Sequence, residues 1–244
     1  MNEQTRTSPE FALVTGATSG IGRAVALKLA SDGFDVIVHG RDAERGAATV
    51  RAIEEAGGHA RFMAADLADA DDVTQLAKAA GDVDVLVNNG GFSWFGPTAE
   101  LDTATFDELF ASNVRSAYLL VAAIAPGMTS RGHGSIVSID SMAGHVGLAG
   151  GAAYGATKAS LSALSRAWAA EFSPAGVRVN TVAPGPVYTR AAGTDLIDQL
   201  GKTTLLGRAA QVEEIAEVIA FVASDKASYI TGAVIPVDGG RTAI

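Results

Sequence analysis

The chain contains no cysteine. That single absence removes disulfides, zinc–thiolate sites, iron–sulfur clusters and thiol nucleophiles together, and it fits a reducing, cytoplasmic setting. Positive charge is also in short supply: 18 Lys plus Arg stand against 27 Asp plus Glu, for a net charge of −9. A surface that acidic repels phosphate backbones and anionic lipids, which argues against nucleic acid and membrane partners. Long hydrophobic runs are missing. The longest useful uncharged stretch, residues 116–130, is too short to span a bilayer and carries Pro126 and Gly127. Residues 1–10 form a polar tail without the apolar core of a secretory signal. No metal site is expected.

Apolar residues are plentiful, at 48% of 244 positions, which suits one large α/β domain with a sizeable core. Short β-branched runs fall at 11–15, 35–39, 59–64, 83–87, 135–139, 177–182 and 233–237. Their apolarity is continuous rather than alternating, the mark of strands buried on both faces in a parallel sheet. Helical periodicity fills the intervals. Ile21, Ala24, Val25, Lys28 and Leu29 share one face of the first helix. Further helices are expected over 43–56, 71–79, 103–125, 152–172 and 212–223. Seven strands alternating with helices predict a doubly wound Rossmann fold, a seven-stranded parallel sheet with helices on both faces. No repeat or linker divides residues 11–244. The stretch 190–206 reads as a polar, flexible flap over a substrate.

The first strand runs directly into Gly16-Ala17-Thr18-Ser19-Gly20-Ile21-Gly22, which opens the first helix. Glycines there let the backbone turn and approach a pyrophosphate, whose charge the helix N-terminus and its free N–H groups can hold. The spacing is neither G-x-G-x-x-G nor a Walker loop, since no Gly-Lys-Ser/Thr follows. Gly16, Thr18, Ser19, Gly20, Ile21 and Gly22 are therefore candidate dinucleotide ligands. At the end of the second strand a carboxylate would bind the ribose hydroxyls of NAD and repel a 2′-phosphate. This chain has His39-Gly40-Arg41 there, and a guanidinium is suited to forking a phosphate. NADP(H) is thus preferred, with NAD(H) possible because Asp42 follows. Asp66 and Leu67 end the third strand, where Asp66 could accept from an adenine amino group or cap the next helix.

Tyr154 and Lys158 are spaced i and i+4, on one helix face. An adjacent ammonium stabilises phenolate and so lowers the pKa of a phenol. Ser141 follows the fifth strand, at the carboxyl edge that lines the ligand crevice in such sheets. Its hydroxyl can hold a carbonyl while Tyr154 exchanges the proton.

These motifs, with Asn88-Asn89-Gly90-Gly91 after the fourth strand, Asn113, and Pro184-Gly185-x-x-x-Thr189, occur in an order that resembles the classical short-chain dehydrogenases/reductases. The overall pattern is most similar to 3-oxoacyl-(acyl-carrier-protein) reductases, and the resemblance runs from Phe11 to Gly240. It implies an oxidoreductase moving hydride between a nicotinamide and a carbonyl or secondary alcohol. Tyr154 would be the acid/base, Lys158 would tune it and hold the nicotinamide ribose, and Ser141 would orient the carbonyl. Asn113 would hold a water linking Lys158 to solvent. Asn89 and Gly91 would lie against the adenosine ribose. Pro184, Gly185, Val187 and Thr189 would hold the nicotinamide carboxamide. The family's paired helices imply a homotetramer.

The chain departs from the family pattern in three places. Gly90 replaces an alanine, which would loosen the turn. Gln211-Val212 replaces a proline-led helix start. Asp140 stands where a small residue is usual, either pointing away from Ser141 or raising the pKa of Tyr154. The reductases that use an acidic carrier dock it with arginines, and Arg131 is the one candidate in the corresponding stretches. A small free carbonyl is therefore favoured over a carrier-bound one, with a sugar or polyol as a further alternative. Phe92, Trp94, Phe95, Leu148 and Tyr188, with Met142, His145 and Val146, could give the site an apolar lining. An epimerase or dehydratase would need a larger carboxy-terminal domain, and a non-catalytic NADP-binding regulator would not need both Tyr154 and Lys158.

Overall fold

The computed structural model describes residues 10–189 and 193–244. The polar stretch 1–9 and positions 190–192 of the expected flap lie outside the described residues. Seven strands form one wholly parallel sheet: β1 (Phe11–Val14), β2 (Asp35–Gly40), β3 (Ala60–Ala64), β4 (Val85–Asn88), β5 (Gly134–Ile139), β6 (Val177–Pro184) and β7 (Val234–Val237). Their spatial order is β3-β2-β1-β4-β5-β6-β7. The chain winds outward one way from β1 and the other way from β4. Between those two strands the loops part, leaving a crevice at the carboxyl edge.

Strand alternation explains the unbroken apolar runs. Ala12 and Val14, Val36 and Val38, Val85 and Val87, and Val137 and Ile139 pack on one face under α1 (Gly20–Ser31) and α8 (Val212–Ala223). Leu13, Ile37, Leu86 and Ile136 point to the opposite face, under α3 (Ala70–Ala80), α5 (Ser116–Arg131) and α6 (Ala152–Phe172). Both faces are therefore greasy, as a sandwiched parallel sheet requires.

The remaining helices are α2 (Ala43–Glu55), α4 (Thr103–Phe110) and α7 (Thr194–Gly201). The helix expected over 103–125 is longer and less regular. A π-helical segment, Ala111–Arg115, joins α4 to α5, which continues through Pro126 to Arg131. It stops where Gly132 turns left-handed at φ 75°, its N–H reaching the carbonyls of Met128 and Thr129. The span Thr103–Arg131 is long and apolar enough to cross a membrane, with mean hydropathy 1.3, but half of that window is buried in the fold. It is a core helix packed on α3 and α6. The described part of the expected flap holds the amphipathic α7, with Ile197 buried.

Ile136 lies at full burial in central β5. Ile136→Ala is expected to cost about 2–5 kcal/mol of stability, read from the midpoint of urea unfolding. A loss below about 1 kcal/mol would contradict this packing.

Candidate active site

The crevice between β1 and β4 is tied shut at its root by Thr15. Its hydroxyl donates to the Val87 carbonyl at 3.2 Å and accepts from the N–H groups of Asn89 at 2.9 Å and Gly90 at 2.8 Å. The Asn89 carboxamide donates to the Thr15 carbonyl at 2.8 Å. Gly16 then turns left-handed at φ 65°, and a Cβ on Gly22 would stand 2.4 Å from the Gly16 carbonyl oxygen. The loop is thus a cradle of bare backbone. An aspartate side chain caps each of α2, α3 and α4, whereas Ser19 at the start of α1 makes no such bond and the first turn carries no acid. Those N–H groups face a cavity of about 340 Å³ lined by Thr18, Ser19, Gly20, Ile21, Asn89 and Gly91. Such a set suits an anion, and it fits the pyrophosphate of a dinucleotide.

His39, which the sequence reading passed over, underpins the cradle from β2. Burial holds its imidazole below the ordinary histidine range. The Gly16 N–H donates to its Nδ1 at 3.2 Å, so the ring proton sits on Nε2 and reaches the Ala65 carbonyl, also at 3.2 Å.

At the outer end of the cavity, Arg41 projects into solvent with Arg45 beside it. Arg45 was also missed, although its place in the first turn of α2 follows directly from Asp42 as the cap. The Asp42 carboxylate accepts from the Arg45 N–H at 3.0 Å and pairs with its guanidinium at 2.9 Å. The acid that clouded cofactor choice is therefore turned onto its own helix. A Cβ on Gly40 would meet Thr18 Cγ2 at 2.4 Å, so the position where an acid would select NAD has no room for one. Asp66 and Leu67 line the same cavity, and Asp66 Oδ2 lies 4.0 Å from Arg41. Asp69, not Asp66, caps α3. A Cβ on Gly90 would stand 2.4 Å from Leu67 Cδ1, so the alanine usual in the family would press on that side chain.

Beyond Gly91 the chemical groups converge. Ser141 starts the turn after β5, and its Oγ accepts from the Ala143 N–H at 3.2 Å, leaving its own proton to give. It hydrogen-bonds the Tyr154 phenol, one turn before Lys158 on α6. Lys158 is buried, donates to the Ile139 carbonyl at 2.7 Å, and lies 5.7 Å from the centre of the Tyr154 ring. The ammonium does not lower the phenol here. Burial pushes Tyr154 up to about 12, with Ser141 acting against it and Asp140 adding to it. Burial pulls Lys158 down to about 8, opposed by Asp140. The second of the two arrangements expected for Asp140 is the one observed.

The Asn113 carboxamide, set in the π segment, clamps the loop after β4. It accepts from the Phe92 N–H at 3.0 Å and donates to the Phe92 carbonyl at 2.8 Å and to Thr157 Oγ1 at 3.1 Å. Both of its N–H donors are therefore committed. After β6, Val187 bridges Ala210, with the flanking Pro186 carbonyl and Tyr188 N–H making the bonds. That geometry turns Val187's own N–H and C=O to the other side of the chain. Thr189 lines the cavity, while Gly185 backs onto Asp238, where a Cβ would come within 2.7 Å. Pro184 ends β6.

The apolar lining is partly as expected. The Phe95 ring stands 5.4 Å from that of Tyr154, and the Gly96 N–H bonds the Gly150 carbonyl at 3.0 Å, joining two loops above the phenol. Met142 and His145 instead line a separate cavity with Arg166 and Asp238.

The family model described as enoyl-(acyl carrier protein) reductase matches residues 16–242. The chain is 37% identical over 237 residues to 3-oxoacyl-(acyl-carrier-protein) reductase FabG of Staphylococcus aureus, covering 94% of this chain and 96% of that one. It is 39% identical over 241 residues to cis-4-hydroxycyclohexanecarboxylate dehydrogenase of Sinomonas cyclohexanicum, covering 96% of each. A blue fluorescent protein from a metagenomic library, solved in complex with NADPH, superposes with a TM-score of 0.89 at 34% identity, covering 95% of this chain and 97% of that one.

Asn113→Leu keeps the volume but strands the Phe92 and Thr157 partners. It is expected to cost about 1–3 kcal/mol in urea unfolding and to speed proteolysis in the loop after β4. Unchanged values of both would refute the clamp.

Proposed function

This chain belongs to the short-chain dehydrogenases/reductases and is an oxidoreductase acting on a CH–OH/C=O pair with a nicotinamide cofactor; on that premise we propose that it is an NADP(H)-dependent enzyme for a small, hydrophobic carbonyl or secondary alcohol. The observation that carries this reading is the meeting of Ser141, Tyr154 and Lys158 at the carboxyl edge of β5, beside a cradle suited to pyrophosphate.

Bound nicotinamide supplies or accepts the hydride. In the reducing direction the Ser141 hydroxyl turns its proton from the Tyr154 phenol to the substrate oxygen, and Tyr154 Oη–H donates its proton to that oxygen as the alkoxide develops. Lys158, one turn further along α6, would hold the nicotinamide ribose, while burial rather than its ammonium governs the phenol. In the oxidising direction the proton returns to Tyr154. Asn113 keeps the Phe92 loop in place and, through Thr157, steadies the turn of α6 that carries Lys158. Asn89 and Gly91 would border the adenosine ribose, and Asp66 and Leu67 the adenine. Pro184, Gly185, Val187 and Thr189 would border the carboxamide.

Preference for NADP(H) is supported by Arg41 and Arg45 at the cavity's outer end and by Gly40 in the place of a selecting acid. A free substrate is supported by Arg131, the one arginine expected to greet an acidic carrier. Its guanidinium is spent on Asp82 at 2.9 Å, the Val83 carbonyl at 2.7 Å and Asp84 at 3.4 Å. Phe95 against Tyr154 supports an apolar substrate. The likeness to the Staphylococcus aureus enzyme favours a second reading, a 3-oxoacyl-(acyl-carrier-protein) reductase. Exposed Phe106 on α4 and Tyr118 on α5 support a homotetramer, and a monomer in light scattering would refute it. A chain without cysteine fits the cytoplasm.

Tyr154→Phe is expected to lower turnover by at least about 10²-fold with NADPH affinity near that of the wild type. Retained turnover would refute the assignment. Arg41→Ala and Arg45→Ala should each weaken NADPH about tenfold and leave NADH almost unchanged, as measured by kcat/KM for both cofactors. Equal losses would dismiss both as selectors. Cyclic and linear ketones should be reduced with higher kcat/KM than acyl-carrier thioesters, and the reverse order would favour the second reading.

A further inference from the structure

Asp140 is a buried acid that the chemistry above does not use. It sits at the end of β5, 3% exposed, immediately before Ser141. Its Oδ1 accepts from the Ser141 N–H at 2.7 Å. Its Oδ2 accepts from His145 Nε2–H at 2.7 Å and from the Ser162 hydroxyl on α6. Room for it comes from Gly144, where a Cβ would meet Asp140 Oδ1 at 2.7 Å and the Lys158 carbonyl carbon at 3.1 Å. The carboxylate is thus wedged between the turn that presents Ser141 and the stretch of α6 that presents Lys158.

We propose that Asp140 is a positioning residue of the active site: gripped by His145 and Ser162, it fixes the Ser141 backbone and supplies a negative charge beside Tyr154 and Lys158. The inference rests on reading Tyr154 as the acid/base. A carboxylate lodged against this turn and α6 favours the charged lysine and disfavours the charged phenol. The ionisable groups around Asp140 are His145 from the turn after β5 and Tyr154 and Lys158 from α6. Arg166 of α6 and Asp238 beyond β7 line the cavity on the far side of His145. Because the donors to Asp140 come from three places in the chain, the charge is held still while the substrate oxygen changes its own. The proton held on Tyr154, already retained by burial, is thereby made harder still to lose, by a residue that touches neither substrate nor cofactor.

The test is a tyrosine ¹³Cζ NMR titration of the full chain, with the Tyr154 signal identified by its loss in Tyr154→Phe. Asp140→Asn keeps an acceptor for Ser141 and a donor for Ser162 but removes the charge, and Tyr154 should begin to ionise about one pH unit lower. Asp140→Ser, which fits the same space, should move it in the same direction and serves if the amide variant folds poorly. NADPH affinity, read by fluorescence, should stay within about twofold of the wild type, because the cradle is untouched. Titrations of both variants that coincide with the wild type would overturn the proposal. A silent Tyr154→Phe variant in turnover assays would overturn the functional reading instead, leaving the titration result standing.

Discussion

One hydroxyl joins the two halves of this molecule. Thr15 stands where β1 ends, and its bonds to Val87, Asn89 and Gly90 fasten it to the end of β4. From those two strands the chain winds to opposite wings of the sheet. The crevice exists because the loops diverge there, and it keeps its shape because Thr15 prevents them from diverging further. The glycine cradle, the Asn89 wall and the start of the loop clamped by Asn113 all hang from that knot. Its donors and acceptors are matched, as polar groups under a sheet must be.

The electrostatics follow a division between the two ends of the site. The outer end is wet, with Arg41 reaching into solvent and Arg45 beside it, paired with Asp42 on their own helix. The inner end is dry. Burial there moves Tyr154 and Lys158 in opposite directions, and each is brought closer to its neutral form. The first end is suited to grip and the second to proton exchange.

Much of this was legible from residue order. Apolar runs located all seven strands, because a sheet covered on both sides leaves no polar alternation to confuse them. Helices α6 and α8 fell at their expected limits, and the i, i+4 spacing of Tyr154 and Lys158 named a shared helix face in advance. Register was not legible. His39 matters because the β1–β2 pairing lays it under Gly16, and nothing in its own neighbourhood signals that. Arg45 and Asp42 exchange meaning once one is known to cap α2, a fact of backbone geometry. The helix expected to stop at 125 instead runs six residues further, through Pro126 to Arg131. Burial decided the pKa of Tyr154, and burial comes from tertiary packing that a spacing rule does not contain.

The bond from the Gly96 N–H to the Gly150 carbonyl ties the loop that carries Phe95 to the loop that precedes Tyr154. Two independent flaps would admit a ligand from either side; fastened together, they behave as one lintel over a doorway.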